Sequence, residues 1–126
     1  MTHNQTSSKI IEAAIKVHTA LGPGLLESAY KECLYYELCL MGIRVLKEKP
    51  MPLMYEDVQL NIGYRLDLLV NDHVVVELKS VDAIHNIHMA QLLTYMKLGD
   101  YKLGLLINFN VTLLKYGIKR MINGLL

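Results

Sequence analysis

Charge of one sign, long apolar runs and cysteine are what this sequence has least of. Its 13 Lys and Arg nearly cancel its 12 Asp and Glu, for a formal net charge of +1 at pH 7. So close a balance excludes a highly basic nucleic-acid coat and an acidic tail; contact with a polyanion then requires a local patch. No apolar run approaches the ~20 residues of a membrane helix. The opening MTHNQTSSK lacks the apolar core of a signal peptide, so the expected location is cytoplasmic, with no membrane partner. The two cysteines, Cys33 and Cys39, stand six apart in a helix-like stretch. They fall on different faces, and no disulfide is expected between them. With neither a CxxC pair nor HExxH, a zinc site has little support. Repeats, low-complexity stretches and linkers are also missing.

What is present is apolar. Hydrophobic residues make up 52% of the 126 and charged residues 20%, which excludes intrinsic disorder. One domain over 1–126 is expected, with residues 1–8 flexible. A chain this short cannot bury so much apolar material, so a homodimer is expected as well.

The apolar residues Ile10, Ile11, Ala14, Val17, His18 and Leu21 have helical spacing and predict a helix over 9–21. Ser7 or Ser8 would cap it, and Glu12 would sit in its first turn. Gly22-Pro23-Gly24 breaks the chain. A second helix reads from Leu25 to Met41, with Gly42 as a left-handed cap. The period then changes to two. Strands are predicted at Ile43–Lys49, near Leu53–Tyr55, at Leu60–Val70 with a bulge at Gly63, and at His73–Val81. Turns are predicted at Glu56-Asp57 and Asn71-Asp72. Ala83–Leu98 reads as a third helix, and Lys102–Phe109 as a central strand apolar on both faces. Leu113–Ile122 reads as either a strand or a short helix. This order implies an α/β fold, a sheet flanked by helices.

The Leu60–Val81 hairpin carries the most chemistry. Glu77 and Lys79 share one strand face. A two-residue turn at Asn71-Asp72 would pair Val70 with His73 and set Asp67 opposite Val76, one step from Glu77. Carboxylates on adjacent strands can hold Mg²⁺ through oxygen, and a neighbouring lysine can steady developing negative charge. The plain alternative is a cross-strand ion pair of Glu77 with Lys79 or Arg65 on a solvated face. On the second helix, Glu27 heads an apolar row of Tyr30, Leu34, Leu38 and Met41; it is either a buried, partnered carboxylate or a first-turn dipole partner. Gln91 and Tyr95 lie four apart on one helix face and can orient a phosphate or a nucleobase; otherwise they are a surface amide beside a core tyrosine. His85 and His88 either face the same site or form a partly exposed pair. Lys115, Lys119 and Arg120 form either a phosphate contact or a solvated face.

In combination these residues are more specific. Gly24-Leu25-Leu26-Glu27-Ser28-Ala29-Tyr30 fits a GxxExxY signature, and Asp67, Glu77-Leu78-Lys79 and Gln91-x-x-x-Tyr95 follow in order. From about Ile10 to Ile122 the chain resembles the GxxExxY protein family, a compact branch of the PD-(D/E)xK nuclease-like superfamily. The QxxxY element resembles that of RecB-like nucleases. The resemblance implies a restriction-endonuclease-like core, a mixed sheet flanked by helices. It implies a Mg²⁺- or Mn²⁺-dependent nuclease acting on DNA or RNA, with Glu27, Asp67, Glu77, Lys79 and Gln91 catalytic. Asp67, Glu77 and Glu27 would be the metal ligands, and Tyr95, Tyr30 and Arg65 would contact substrate. Leu66 stands before Asp67 where the superfamily pattern has proline. The alternative function is a catalytically silent nuclease-like module that binds nucleic acid or protein, acting as a homodimer.

Overall fold

A computed structural model describes residues 1–61 and 63–126. Two helices open the chain, α1 (His3–Leu21) and α2 (Glu27–Leu40). Five strands follow: β1 (Val45–Pro50), β2 (Leu53–Tyr55), β3 (Val58–Leu60), β4 (Arg65–Val70) and β5 (Val74–Lys79). Helix α3 (Asn86–Gly99), β6 (Leu103–Asn108), a short 3-10 turn (Leu114–Gly117) and β7 (Ile118–Ile122) complete it. The main sheet runs β1-β4-β5-β6-β7, and β2 and β3 form a separate hairpin. All its neighbours are antiparallel except β5 and β6. A parallel pair needs a crossover, and α3 supplies it.

The sheet has a core on each face. Ile10, Ala14 and Val17 of α1 and Tyr30, Leu34 and Leu38 of α2 pack against Leu68, Val76, Leu78 and Leu105. Leu92 and Met96 of α3 cover Leu69, Val75 and Leu106 on the opposite face. Every residue of β6 is buried, as expected for a central strand covered on both sides. Gly104 lets α3 come close: a Cβ there would lie 2.6 Å from Met96 Sδ and 3.1 Å from Leu92 Cδ1.

Four expectations are corrected. Residues 3–8 are not a flexible lead but the first turns of α1. Thr2 caps the helix through a reciprocal bond with Gln5, a polar device that apolar periodicity does not register. Thr6 and Ser7 are buried, and Glu12 lies beyond the first turn. The single strand predicted over Leu60–Val70 divides into β3 and β4. Gly63 separates them at φ +83°, a conformation open to glycine and closed to most residues; Ile62 lies outside the described residues. The tail predicted as strand or helix contains both, the 3-10 turn and then β7.

The fourth correction concerns register. Val70 pairs with Val74, not His73. The turn holds three residues, Asn71, Asp72 and His73, the first two at positive φ. That one-residue shift brings Asp67 alongside Glu77 rather than Val76.

Gly104→Ala should therefore destabilise the protein by about 1–3 kcal/mol through overpacking under α3, read as a lower urea midpoint. Unchanged stability would mean that α3 does not depend on this close approach.

Candidate active site

The β4–β5 ladder stops at Leu68 and Val76. Beyond it, side chains replace backbone pairing. The Asp67 amide donates to Glu77 Oε1 at 3.2 Å, and the Leu78 amide donates to Asp67 Oδ2 at 2.8 Å. Each carboxylate thus caps the other's strand, and the two acids are locked together. One oxygen of each is committed to an amide, leaving the second for another ligand.

Asp67 also interrupts the alternation of β4. Leu68 faces the α1–α2 core, while Leu66 and Leu69 both face the α3 core. The partner strand breaks at the same level: β1 pairs with β4 on either side of Glu48, and Glu48 itself has φ +52°. A glutamate in that region is strained. The Lys31 ammonium of α2 reaches Glu48 Oε1 at 2.7 Å. This bond holds the Glu48 carboxyl below its ordinary range and raises Lys31. Asp67 contributes to the rise of Lys31 too, so the start of α2 lies within electrostatic reach of the acid pair.

Glu77 is 8% exposed. Burial, and then the charge of Asp67, push its carboxyl up to about 9. Two carboxylates in one partly dry site cannot both ionise cheaply. A divalent cation relieves that repulsion, and paired carboxylate oxygens are the hard donors that Mg²⁺ accepts. Asp67 and Glu77 fit such an ion. Glu27 stands apart from them, exposed in the first turn of α2. Ser80 Oγ donates to Leu25 O at 2.6 Å, which ties this end of α2 to the end of β5. Among the described residues no group of three or more His, Cys, Asp or Glu is gathered closely enough to hold a metal. The expected trio is therefore present as a pair plus a neighbour.

A cavity of about 60 Å³ lies beside the pair, lined in part by Glu77, Lys79, Arg65, His88, Gln91 and Tyr95. It gathers five of the predicted site residues from β4, β5 and α3. Burial, followed by the charge of Glu77, pushes the Tyr95 phenol up. Lys79 stands at the strand end, and the next segment is clamped. Asn108 Nδ2 donates to Val81 O at 2.9 Å, and the Val81 amide donates to Asn108 Oδ1 at 3.1 Å.

Tyr30 is corrected. Its ring is fully buried and stacks on Phe109 with centroids 4.4 Å apart. Its hydroxyl donates to Gly22 O at 2.6 Å and accepts the Leu25 amide at 3.1 Å. It fastens the Gly22–Leu25 loop and offers nothing to a substrate. Three residues escaped the sequence reading or were left open there. Lys31 sits one helical turn after Glu27, a spacing that already implied a shared face. Glu48 carried no signal. His88 lines the cavity and its Nδ1 accepts the His85 amide at 3.0 Å, so a neutral His88 carries its proton on Nε2.

A family model described as the PD-(D/E)XK nuclease superfamily matches residues 4–121. The chain belongs to the PD-(D/E)XK nuclease superfamily. Its mixed five-stranded sheet between helices agrees with the restriction-endonuclease-like fold, and nucleases of the superfamily generally use divalent metals. No curated protein and no solved structure is significantly similar to it.

The raised Glu77 carboxyl fixes a pH dependence. The native state holds a proton on Glu77 that the unfolded chain releases, so stability falls as pH rises from 4.5 towards about 9. The slope from this group is at most about 1.4 kcal/mol per pH unit. Urea unfolding across this window should show that fall in the wild type, and Glu77→Gln should remove it. Parallel pH profiles for the two proteins would contradict the assignment.

Proposed function

We propose that this protein is a divalent-metal-dependent nuclease that hydrolyses phosphodiester bonds of DNA or RNA. The observation that carries the reading is the interlock of Asp67 and Glu77 where β4 and β5 part, with Lys79 on the same face as Glu77. A Mg²⁺ or Mn²⁺ ion held by Asp67 and Glu77 would lower the pKa of a water and neutralise phosphoryl charge.

The chain's own groups do the rest. In hydrolysis the water oxygen bonds to phosphorus, the bond from phosphorus to the sugar oxygen breaks, and that oxygen gains the proton the water loses. Lys79 supplies a positive donor for the charge building on the phosphate. Arg65 offers a second cation at the mouth, suited to the fork of two phosphate oxygens. Gln91 and Tyr95, one turn apart on α3, orient the phosphate or the attacking water. His88 Nε2–H adds a donor from the same helix. Glu27, exposed at the neighbouring end of α2, would complete the acidic set if substrate drew it inward. Its position in a GxxExxY stretch supports membership of that branch of the superfamily.

The apolar groove between α1 and α2, about 290 Å³ and bordered by Tyr36 and Leu21, supports a homodimer. Sedimentation should give twice the chain mass, and a monomer would remove this part of the reading. The catalytically silent module remains the competing function, separated from ours by turnover alone.

Wild-type protein with millimolar Mg²⁺ or Mn²⁺ should cut nucleic acid. Lys79→Ala should lower kcat by about 10²–10³-fold, and Asp67→Ala should abolish cutting. The same ions should raise the melting temperature of wild type at pH 8 but not of Asp67→Ala. Failure of the protein to bind either ion at millimolar concentration would overturn the reading.

A further inference from the structure

Beside the catalytic cavity runs a second, drier groove of about 230 Å³, whose walls include Leu53, Ile87, Leu98 and the ring of Tyr64. It shares Gln91 and Tyr95 with the catalytic cavity, so the two adjoin across these side chains. Tyr64 is 41% exposed although it is a large aromatic. Its ring leans on that of Tyr95, with centroids 5.8 Å apart and planes 49° from parallel. Its backbone is fixed, since Tyr64 O accepts the Met51 amide at 2.7 Å. The next residue, Arg65, lines the catalytic cavity.

We propose that Tyr64, backed by Tyr95, is a stacking platform for an unpaired nucleobase, so the substrate is a single-stranded or frayed strand. The inference rests on the nuclease reading and names its substrate class. Three considerations carry it. A phosphate held by Arg65 and Lys79 would bring its own base within reach of the adjoining groove. Apolar walls suit the faces of a base, and the Gln91 amide suits its polar edge. The Thr94 hydroxyl does not compete, since it donates to Ala90 O at 2.9 Å. A paired base has both faces covered by its neighbours in the stack, so only an unpaired or splayed one can lie against Tyr64. The net charge of +1 agrees. A duplex binder draws its affinity largely from phosphate neutralisation, whereas stacking needs no basic excess and is indifferent to which base it meets.

The test compares one sequence as a single strand and as a blunt duplex, in DNA and in RNA, with wild type, Tyr64→Ala and Tyr64→Phe. The single strand should be cut with the higher kcat/KM. Tyr64→Ala should raise its KM by about 5- to 150-fold with little change in kcat, and Tyr64→Phe should keep the wild-type value. Equal cutting of both forms, or an unchanged KM in Tyr64→Ala, would overturn the proposal. A second measurement needs no turnover. The sequence contains no tryptophan, so Tyr64→Trp introduces a single tryptophan, excited selectively at the red edge where the remaining tyrosines do not absorb. In EDTA, oligo(dU) or oligo(U) should quench it, with the stronger quencher naming the sugar. Quenching without any wild-type cleavage would sink the nuclease reading and keep the platform. Cleavage without quenching would do the reverse.

Discussion

Two acids that should repel each other, one buried and one half-buried, are held together by two amides. Asp67 and Glu77 each accept a backbone N–H from the other's strand. Those bonds take over where the β4–β5 ladder ends, so the strands part without leaving the amides unmet. The rest of the site follows from this. The alternation of β5 turns Glu77 and Lys79, like Val75, towards α3, and at the break in β1 Glu48 meets Lys31 of α2. The unfavourable element is the charge pair itself, which leaves Glu77 protonated into the alkaline range when nothing neutralises it. The pair therefore costs stability locally as pH rises.

The two cores divide the labour. Helices α1 and α2 bury Tyr30, Leu34 and Leu38 against one sheet face and make the platform rigid. Helix α3 contributes less apolar burial but half of the residues that line the cavity, His88, Gln91, Leu92 and Tyr95, while Leu92 and Met96 also pack on the sheet. Gly104 sets how near that wall stands.

Much of this was legible in the sequence. Period-two patterning located β5, apolar saturation marked β6 as central, and the order of Glu27, Asp67, Glu77, Lys79 and the QxxxY pair pointed to the superfamily. What stayed hidden depended on side-chain bonding or on tertiary geometry. The Thr2–Gln5 cap moved the start of α1 six residues earlier than its apolar stripe suggested. Positive φ at Asn71 and Asp72 lengthened the turn by one residue and changed which residues meet. Tyr30 reads identically as a core ring or a ligand contact until its hydroxyl partners are known. Glu48 could not have been found, because its role comes from a strand break that no local pattern announces.

The clamp between Asn108 and Val81 has a consequence for the life of the chain. Together with the bond from Ser80 to Leu25, it makes the end of β5 depend on segments drawn from the first quarter and the last of the sequence. Contacts of such separation close late in folding, because the loops between them must be ordered first. A nascent or partly folded copy therefore has its acids and its lysine but not their alignment. The alignment of the acids with the lysine therefore depends on completion of the fold.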